Sequence, residues 1–292
     1  MTLARVLTAV VLVPAVVAVV RWGSTGLVAA CAGLVTLLAL LEFFALAARA
    51  GLHGYGIWTG ACALALLFAQ WSAAAMESWA LPGHVFVLRT PGGVGTPWAL
   101  PIEFILLLFA LGAAAMALGS RRTLAEVLPA IGTSAAALLF VALPLSFVVR
   151  LHGAGAQGRK LLLFVLVLVW VGDTLAYFVG RAVGRLPMAP QISPKKTWEG
   201  AAANLLGSLL VAAVFARWTA VEPRHLLVMA SLGNIAGQVG DLLESACKRS
   251  AGVKDSGGLL PGHGGVLDRI DALILAAPVV WYYFLLVIGP RG

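Results

Sequence analysis

The chain has 292 residues, of which 61% are apolar and only 11% are charged, whereas an ordinary soluble domain has about 25% charged residues. With a mean hydropathy of +0.98, this composition excludes a soluble enzyme, a disordered chain and a secreted disulfide scaffold, and leaves a polytopic membrane protein. The net charge of +8 is typical of cytoplasmic loops near anionic lipid, and no soluble basic face that would bind nucleic acid is visible.

Nine segments are long and apolar enough for a membrane-spanning helix, which needs about 20 residues. The expected fold is therefore an all-α bundle of about nine transmembrane helices. The first segment resembles a signal peptide, but Arg5 is a thin basic region and a second span follows at once, so we expect a retained helix. The nine segments are 3–20, 26–48, 57–76, 99–118, 126–149, 161–180, 201–216, 226–246 and 272–288.

The distribution of basic residues predicts how these helices are oriented. With nine spans, the side that holds the N-terminus carries 12 Lys and Arg residues and the other side carries 8. The positive-inside rule then places the N-terminus in the cytoplasm and the C-terminus outside. The long polar loops 181–200 and 247–271 are expected to face the cytoplasm, as in a protein of the inner (plasma) membrane.

The two parts of the chain differ in kind. Residues 1–150 carry isolated acids and no aspartate, and they are interpreted as a scaffold of transmembrane helices. Residues 151–292 contain all five aspartates and are interpreted as the catalytic region. An ionisable group at membrane depth costs about 2.5–3.5 kcal/mol or more, so each such group needs a partner or a function.

The first two polar stretches are residues 172–181 and 192–200. Asp173 and Tyr177 are four residues apart and share a helix face, which is expected to be either the wall of a substrate cavity or an interhelical hydrogen-bonding contact. Pro194 stops a preceding helix and Ser193 is a candidate N-cap for the next one. Together with Lys195, Lys196 and Thr197, Ser193 would then form a phosphate-binding site at a helix start; the alternative is a solvated positive loop.

The third stretch is a stripe of polar residues on an otherwise apolar helix. Its spacings of 4, 3, 3 and 4 place all members on one face. Two carboxylates three residues apart repel each other unless a cation neutralises them, and a divalent cation bound by carboxylate oxygens would do so. Lys248 alone is the alternative neutralising group. The members are Asn234, Gln238, Asp241, Glu244 and Lys248.

The fourth stretch, 254–271, combines charged residues with five glycines that flank His263. Glycine allows a backbone to approach a ligand closely. Carboxylates beside such a loop suit a metal-bound polyphosphate. The charged members are Lys254, Asp268, Arg269 and Asp271, with Asp255 close by.

The pattern from Ser245 to Asp271 resembles the signature of the phosphatidate cytidylyltransferase family, also called CDP-diacylglycerol synthases. In this chain it reads Ser245-x-x-Lys248-Arg249-x4-Lys254-Asp255-x-Gly257-x2-Leu260-Pro261-x-His263-Gly264-Gly265-x-x-Asp268-Arg269-x-Asp271. The runs 173–181 and 193–200 are also similar to family motifs. The resemblance is strong over about 170–290, and the first 150 residues match only as apolar spans.

The resemblance implies a nucleotidyltransferase of phospholipid biosynthesis that makes CDP-diacylglycerol and pyrophosphate from CTP and phosphatidic acid. It implies Mg²⁺, with a second metal ion as an option, and a homodimer in the bilayer. By resemblance, Asp241 and Asp268 are expected metal ligands, with Asp271 and Glu244 as secondary ones. The expected phosphate-binding or catalytic residues are Lys248, Arg249, Lys254, Arg269 and His263, and the expected substrate contacts are Ser193, Lys195, Lys196, Thr197, Asp173 and Tyr177.

Two other functions remain open on the sequence alone. An ion-coupled transporter would use intramembrane acids such as Asp173 and Asp241, although transporters usually carry such groups in both parts of the chain. A CTP-dependent polyprenol or lipid kinase would transfer the γ-phosphate instead of the cytidylyl group. The fate of the α- and γ-phosphates of CTP distinguishes the three functions.

Overall fold

The computed structural model describes residues 2–77, 100–120, 122–259 and 264–288. Helices dominate this part of the chain. A π-helical turn, Leu138–Ala142, joins α5 to α6, and a second one, Phe284–Ile288, follows α10. The helices are α1 (Thr2–Trp22), α2 (Thr25–Arg49), α3 (Gly56–Glu77), α4 (Ile102–Gly119), α5 (Leu124–Ala137), α6 (Leu143–Gly153), α7 (Gly155–Val183), α8 (Trp198–Phe215), α9 (Pro223–Ser250) and α10 (Leu267–Tyr283).

Eight helical segments within the described residues are long and apolar enough to cross a membrane. They correspond to the second to ninth predicted spans, with α5, the π-helical turn and α6 forming one continuous span, Leu124–Gly153. The first predicted span is helix α1, whose described apolar stretch is the shorter Val10–Trp22. The all-α, multi-pass membrane architecture expected from hydropathy is therefore confirmed.

A small β-hairpin connects α7 to α8. Strand β1 (Pro187–Ala189) pairs antiparallel with β2 (Ser193–Thr197), so that Pro187 faces Thr197 and Ala189 faces Ser193. The expectation that Ser193 caps the next helix is wrong, because Ser193 begins an extended strand. Thr197 is the N-cap of α8, and its side chain accepts a hydrogen bond from the Gly200 amide at 3.2 Å.

Glycines bring α9 close to α10. A Cβ atom built on Gly240 would lie 2.5 Å from the carbonyl oxygen of Asp271, and one on Gly237 would lie 3.2 Å from that of Ala272. Small residues allow such backbone approach between membrane helices. The approach brings the polar stripe of α9 beside the first turn of α10.

Two apolar clusters hold the bundle together. One is built mainly from α7, α9 and α10 with the end of α1, around the fully buried Phe164 and Met229. The other joins α2, α3, α4 and the α5–α6 rod around Leu66 and Leu138. The expected division of the chain at residue 150 falls inside α6, and it stays a prediction.

Candidate active site

The polar residues of the C-terminal half converge at one end of the bundle. There, the last turns of α7 and α9, the first turns of α8 and α10 and the β-hairpin surround a cavity of about 370 Å³. Predicted site residues from four separate stretches of the sequence line it: Asp173, Tyr177, Lys195, Lys196, Thr197, Asp241, Asp268 and Asp271.

Three carboxylates form a cluster at this cavity. Asp241 and Glu244 lie on α9 and Asp271 lies on α10, and each can place an oxygen within 4.8 Å of the other two. Glu244 is 6% exposed, and neither of its buried oxygens accepts a well-oriented hydrogen bond. Ionised acids this close together repel each other unless a cation neutralises them. Oxygen ligands of this kind suit a hard divalent cation.

Lys248 neutralises part of this charge. Its ammonium group forms an ion pair with Glu244, one turn earlier on α9, and lies 2.6 Å from Oδ1 of Asp268 on α10. The alternative in which Lys248 serves Glu244 is thus realised in part. However, the structure describes no contact between Lys248 and Asp241 or Asp271; Asp241 pairs instead with Lys196.

Asp268 lies next to the carboxylate cluster but has different partners. Its Oδ2 atom accepts hydrogen bonds from the Gly265 amide at 2.8 Å and from the amide and hydroxyl groups of Ser256, both at 2.9 Å. With Lys248 on Oδ1, the carboxylate links α9, α10 and the intervening loop. Its expected role as a metal ligand stays a prediction, while its contacts show that it holds this loop.

The two neighbouring lysines of β2 have different environments. Nζ of Lys196 lies 2.7 Å from Oδ2 of Asp241, which joins the hairpin to α9. Lys195 is exposed at the cavity wall, with its ammonium available to an anion. Tyr177, also at the wall, accepts a hydrogen bond from Arg181 at 2.9 Å. Ser193 lies at the far end of β2 and is not among the residues that line the cavity.

Three further predicted residues, Arg249, Lys254 and Arg269, are not in the wall of the cavity. Arg249 donates hydrogen bonds at 3.1 Å to the carbonyl groups of Ile192 and Val253, so it links the hairpin to the loop after α9. Lys254 and Arg269 are exposed at the same end of the bundle. His263 lies outside the described residues.

A buried network of amides lies beneath the cavity. Asn204 donates to Asp173 at 3.2 Å, while Asn234 donates to Oδ1 of Asn204 at 2.5 Å. Gln238 completes the chain with a 2.6 Å bond to Asn234. The two interpretations of Asp173 are therefore compatible, because it lines the cavity and also bonds across helices. Sequence reasoning missed Asn204, since a single amide on an apolar helix gives no periodic signal.

Sequence reasoning also missed Glu42. This α2 residue lies in the part of the chain interpreted as a scaffold, yet it is 5% exposed. Its carboxylate accepts hydrogen bonds from the amides of Val266 and Leu267 at 2.9 and 2.8 Å. It also accepts one from the hydroxyl of Ser256 at 3.0 Å. An isolated acid between apolar residues was the only signal for it.

Comparison with known proteins agrees with the sequence resemblance. A family model described as the cytidylyltransferase family matches residues 3–287. Proteins named phosphatidate cytidylyltransferase from Haemophilus influenzae and Brucella abortus are 46% identical over 138 residues and 47% identical over 148 residues. These matches cover 45% and 49% of this chain, and 48% and 53% of the relatives. A Bacillus subtilis protein of the same name is 35% identical over 158 residues, 53% of this chain and 58% of that protein. The chain thus spans about half the length of the curated relatives it matches.

Proposed function

The chain belongs to the cytidylyltransferase family, and on this basis we propose that it transfers the cytidylyl group of CTP to phosphatidic acid. The products are CDP-diacylglycerol and pyrophosphate. The observation that carries the proposal is the cavity at one end of the helical bundle, whose wall contains the carboxylates Asp241 and Asp271 and the cations Lys195 and Lys196. The names of the relatives supply the substrates.

The reaction needs two anions to be brought together. An oxygen of the phosphatidate phosphate forms a bond to the α-phosphorus of CTP, and the bond from that phosphorus to the bridging oxygen of the β-phosphate breaks. Because the attacking phosphate is already anionic, no strong general base is required. Phosphoryl and nucleotidyl transfer depend mainly on positioning and on neutralisation of charge. Lys195, exposed at the cavity wall, would bind a phosphate group.

The carboxylate cluster fits Mg²⁺ by the chemistry of its donors. Asp241, Glu244 and Asp271 would hold the ion; Oε2 of Glu244 pairs with Lys248, and its buried Oε1 accepts no hydrogen bond from the described residues. When bound, Mg²⁺ would supply charge neutralisation for the triphosphate. Asp268 stays a candidate ligand for this ion or a second one, although its oxygens already accept hydrogen bonds from protein groups.

The cavity also has walls that suit a lipid substrate. Ala176, Met188 and Leu242 contribute apolar surface beside the charged groups. The exposed rings of Tyr177 and Trp198 lie on α7 and at the start of α8. We assign the phosphatidate head group to the part of the cavity lined by Lys195, Lys196 and Asp241, and its acyl chains to the surrounding bilayer. This end of the bundle is proposed to face the cytoplasm, where CTP is found, in a homodimer of the inner membrane.

Labelled CTP tests the proposal directly. Purified protein in phosphatidate-containing micelles is given CTP labelled either on the α-phosphate or on the γ-phosphate, with Mg²⁺ present. We expect the α-label to enter lipid and the γ-label to leave as pyrophosphate. Entry of the γ-label into lipid indicates a kinase and overturns the proposal, and so does a result in which neither label enters lipid. Chelation of the metal by EDTA is expected to stop the reaction.

A further inference from the structure

The carboxylate of Glu42 links the N-terminal helices to the connection between α9 and α10. Glu42 is separated from its three hydrogen-bond donors by 214 to 225 residues of sequence. Two of the donors, the amides of Val266 and Leu267, are at the start of α10. A helix start presents amide groups that have no partner within the helix, and a carboxylate placed there is favoured by the helix dipole.

The helix start that Glu42 holds also carries site residues. Asp268 follows Leu267 directly, and Asp271 lies one helical turn after Leu267. The third donor, the hydroxyl of Ser256, lies between Glu42 and Asp268, at 3.0 and 2.9 Å from the two carboxylates. Glu42 therefore contacts both described parts of the connection between α9 and α10, through Ser256 in 251–259 and Val266 in 264–266.

Two glycines of the loop leave room for this carboxylate. A Cβ atom added to Gly257 would lie 2.5 Å from Oε1 of Glu42, and one added to Gly265 would collide with Oε2 of Glu42 and with the Ser256 hydroxyl. The neighbouring Gly258 has no atom within 4 Å of an added Cβ. Neither Gly257 nor Gly258 has a positive φ, so the backbone tolerates alanine at both positions. The two substitutions therefore differ because only the methyl group at position 257 would meet Glu42.

We propose that Glu42 is a positioning residue: it fixes Ser256, Val266 and the first turn of α10 so that Asp271 faces Asp241 and Glu244. This inference rests on the proposed function where it concerns reaction rate. It assigns the N-terminal helices a direct part in the active site. If Glu42 served packing alone, its substitution would alter stability without a specific effect on the loop or on turnover.

The first measurement is amide hydrogen exchange, which needs no activity. In Glu42→Gln, one carbonyl oxygen remains, but the new NH₂ group faces a donor. We expect exchange of the Val266 and Leu267 amides to accelerate by about tenfold or more. The matched control is Glu103→Gln, since Glu103 is exposed on α4. Equal exchange in Glu42→Gln and wild type would overturn the proposal.

The second measurement compares two alanine variants in two backgrounds. With Glu42 present, Gly257→Ala is expected to lower kcat about tenfold with the KM for CTP changed less than about threefold, and Gly258→Ala to change kcat less than about twofold. In the Glu42→Ala background, where the carboxylate is gone, Gly257→Ala should lower kcat by less than a further factor of about two. The proposed contact would be refuted if Gly257→Ala and Gly258→Ala lowered kcat equally. It would also be refuted if Gly257→Ala lowered kcat as much without Glu42 as with it. If the wild-type protein forms no CDP-diacylglycerol, the proposed function fails, while the exchange comparison still tests Glu42.

Discussion

Lys196 on the β-hairpin and Asp241 on α9 form an ion pair, with 2.7 Å between Nζ and Oδ2. The pair links strand β2 to helix α9. From the sequence, the β2 segment was interpreted as phosphate-binding and the α9 segment as metal-binding. Both side chains are about one third exposed or less, so water screens the pair only in part. Lys196 therefore neutralises Asp241 and closes one side of the cavity, whereas the exposed Lys195 does neither.

We predict that Lys196→Ala impairs the reaction more than Lys195→Ala does. Loss of Lys196 leaves Asp241 without its partner and loosens the hairpin, so kcat/KM for CTP should fall by about 10- to 100-fold, against about two- to tenfold for Lys195→Ala. Lys196→Arg should recover part of the loss, because it retains the charge. Steady-state kinetics with CTP and phosphatidate varied separately checks this.

Arg185→Ala is the matched control for the lysine variants. Arg185 is exposed just before the hairpin, so its loss removes one positive charge from the same loop without changing the cavity wall. If both lysines act only by setting membrane orientation, all three alanine variants will insert less well and have normal kinetics once purified. That result would contradict the prediction.

We predict that Asp241→Asn and Asp271→Asn each lower kcat by about 100-fold or more, and that they raise the Mg²⁺ concentration needed for half-maximal rate. Each change removes one anionic oxygen donor from the three-carboxylate cluster. Asp255→Asn is the control, because Asp255 is exposed in the nearby loop and does not belong to the cluster. Activity above roughly a tenth of wild type at saturating Mg²⁺ would exclude an essential ligand.

Most of the helical architecture could be predicted because the spans are long apolar runs that need no tertiary information. The hairpin was not predicted, since strands of three and five residues are too short for a hydrophobic period to be recognised. Ser193 was consequently placed at a helix start instead of in a strand. Pro194 correctly indicated that no helix continues through this segment, but it did not distinguish a loop from a strand.

The candidate site was predictable where its residues follow a helical period or lie in one loop. The stripe from Asn234 to Lys248 is of this kind, and its members do share one face of α9. Glu42 and Asn204 were not predictable, because their partners are distant in sequence and meet them only after the helices pack. Asp268 bonds to the loop whereas Asp271 belongs to the carboxylate cluster. This difference depends on the direction in which each carboxylate points, which residue spacing alone does not determine.

We predict that the cavity end of the bundle faces the cytoplasm. Single cysteines can replace Arg185 and Leu259 at this end, and Arg224 at the opposite end, in a background without Cys31, Cys62 and Cys247. Leu259 and Arg224 are exposed, whereas Ser256 is buried and hydrogen-bonded and would label poorly. An impermeant reagent added to intact cells should label only the cysteine at position 224. Labelling of a cysteine at position 185 or 259 would indicate the opposite orientation and contradict the prediction.

The last prediction separates two aspartates of α10 by their effect on stability. Asp268 bonds to Lys248, Ser256 and Gly265, so Asp268→Asn breaks a largely buried ion pair and places an NH₂ group against donors. In metal-free detergent solution we expect it to reduce the free energy of unfolding by about 2–4 kcal/mol. Asp271, by contrast, faces two other carboxylates. Asp271→Asn relieves repulsion, and we expect unchanged or higher stability without metal.

Thermal unfolding of both variants, with and without Mg²⁺, provides the measurement. Mg²⁺ should raise the Tm of the wild-type protein, since a ligand that binds only the folded state stabilises it. It should raise the Tm of Asp268→Asn by a similar amount and that of Asp271→Asn by much less. If instead Asp268→Asn keeps the metal-free Tm of wild type and loses the Mg²⁺ response, Asp268 is a metal ligand and its contacts with the loop contribute little. Kinetics alone would not distinguish these roles, because both predict an impaired enzyme.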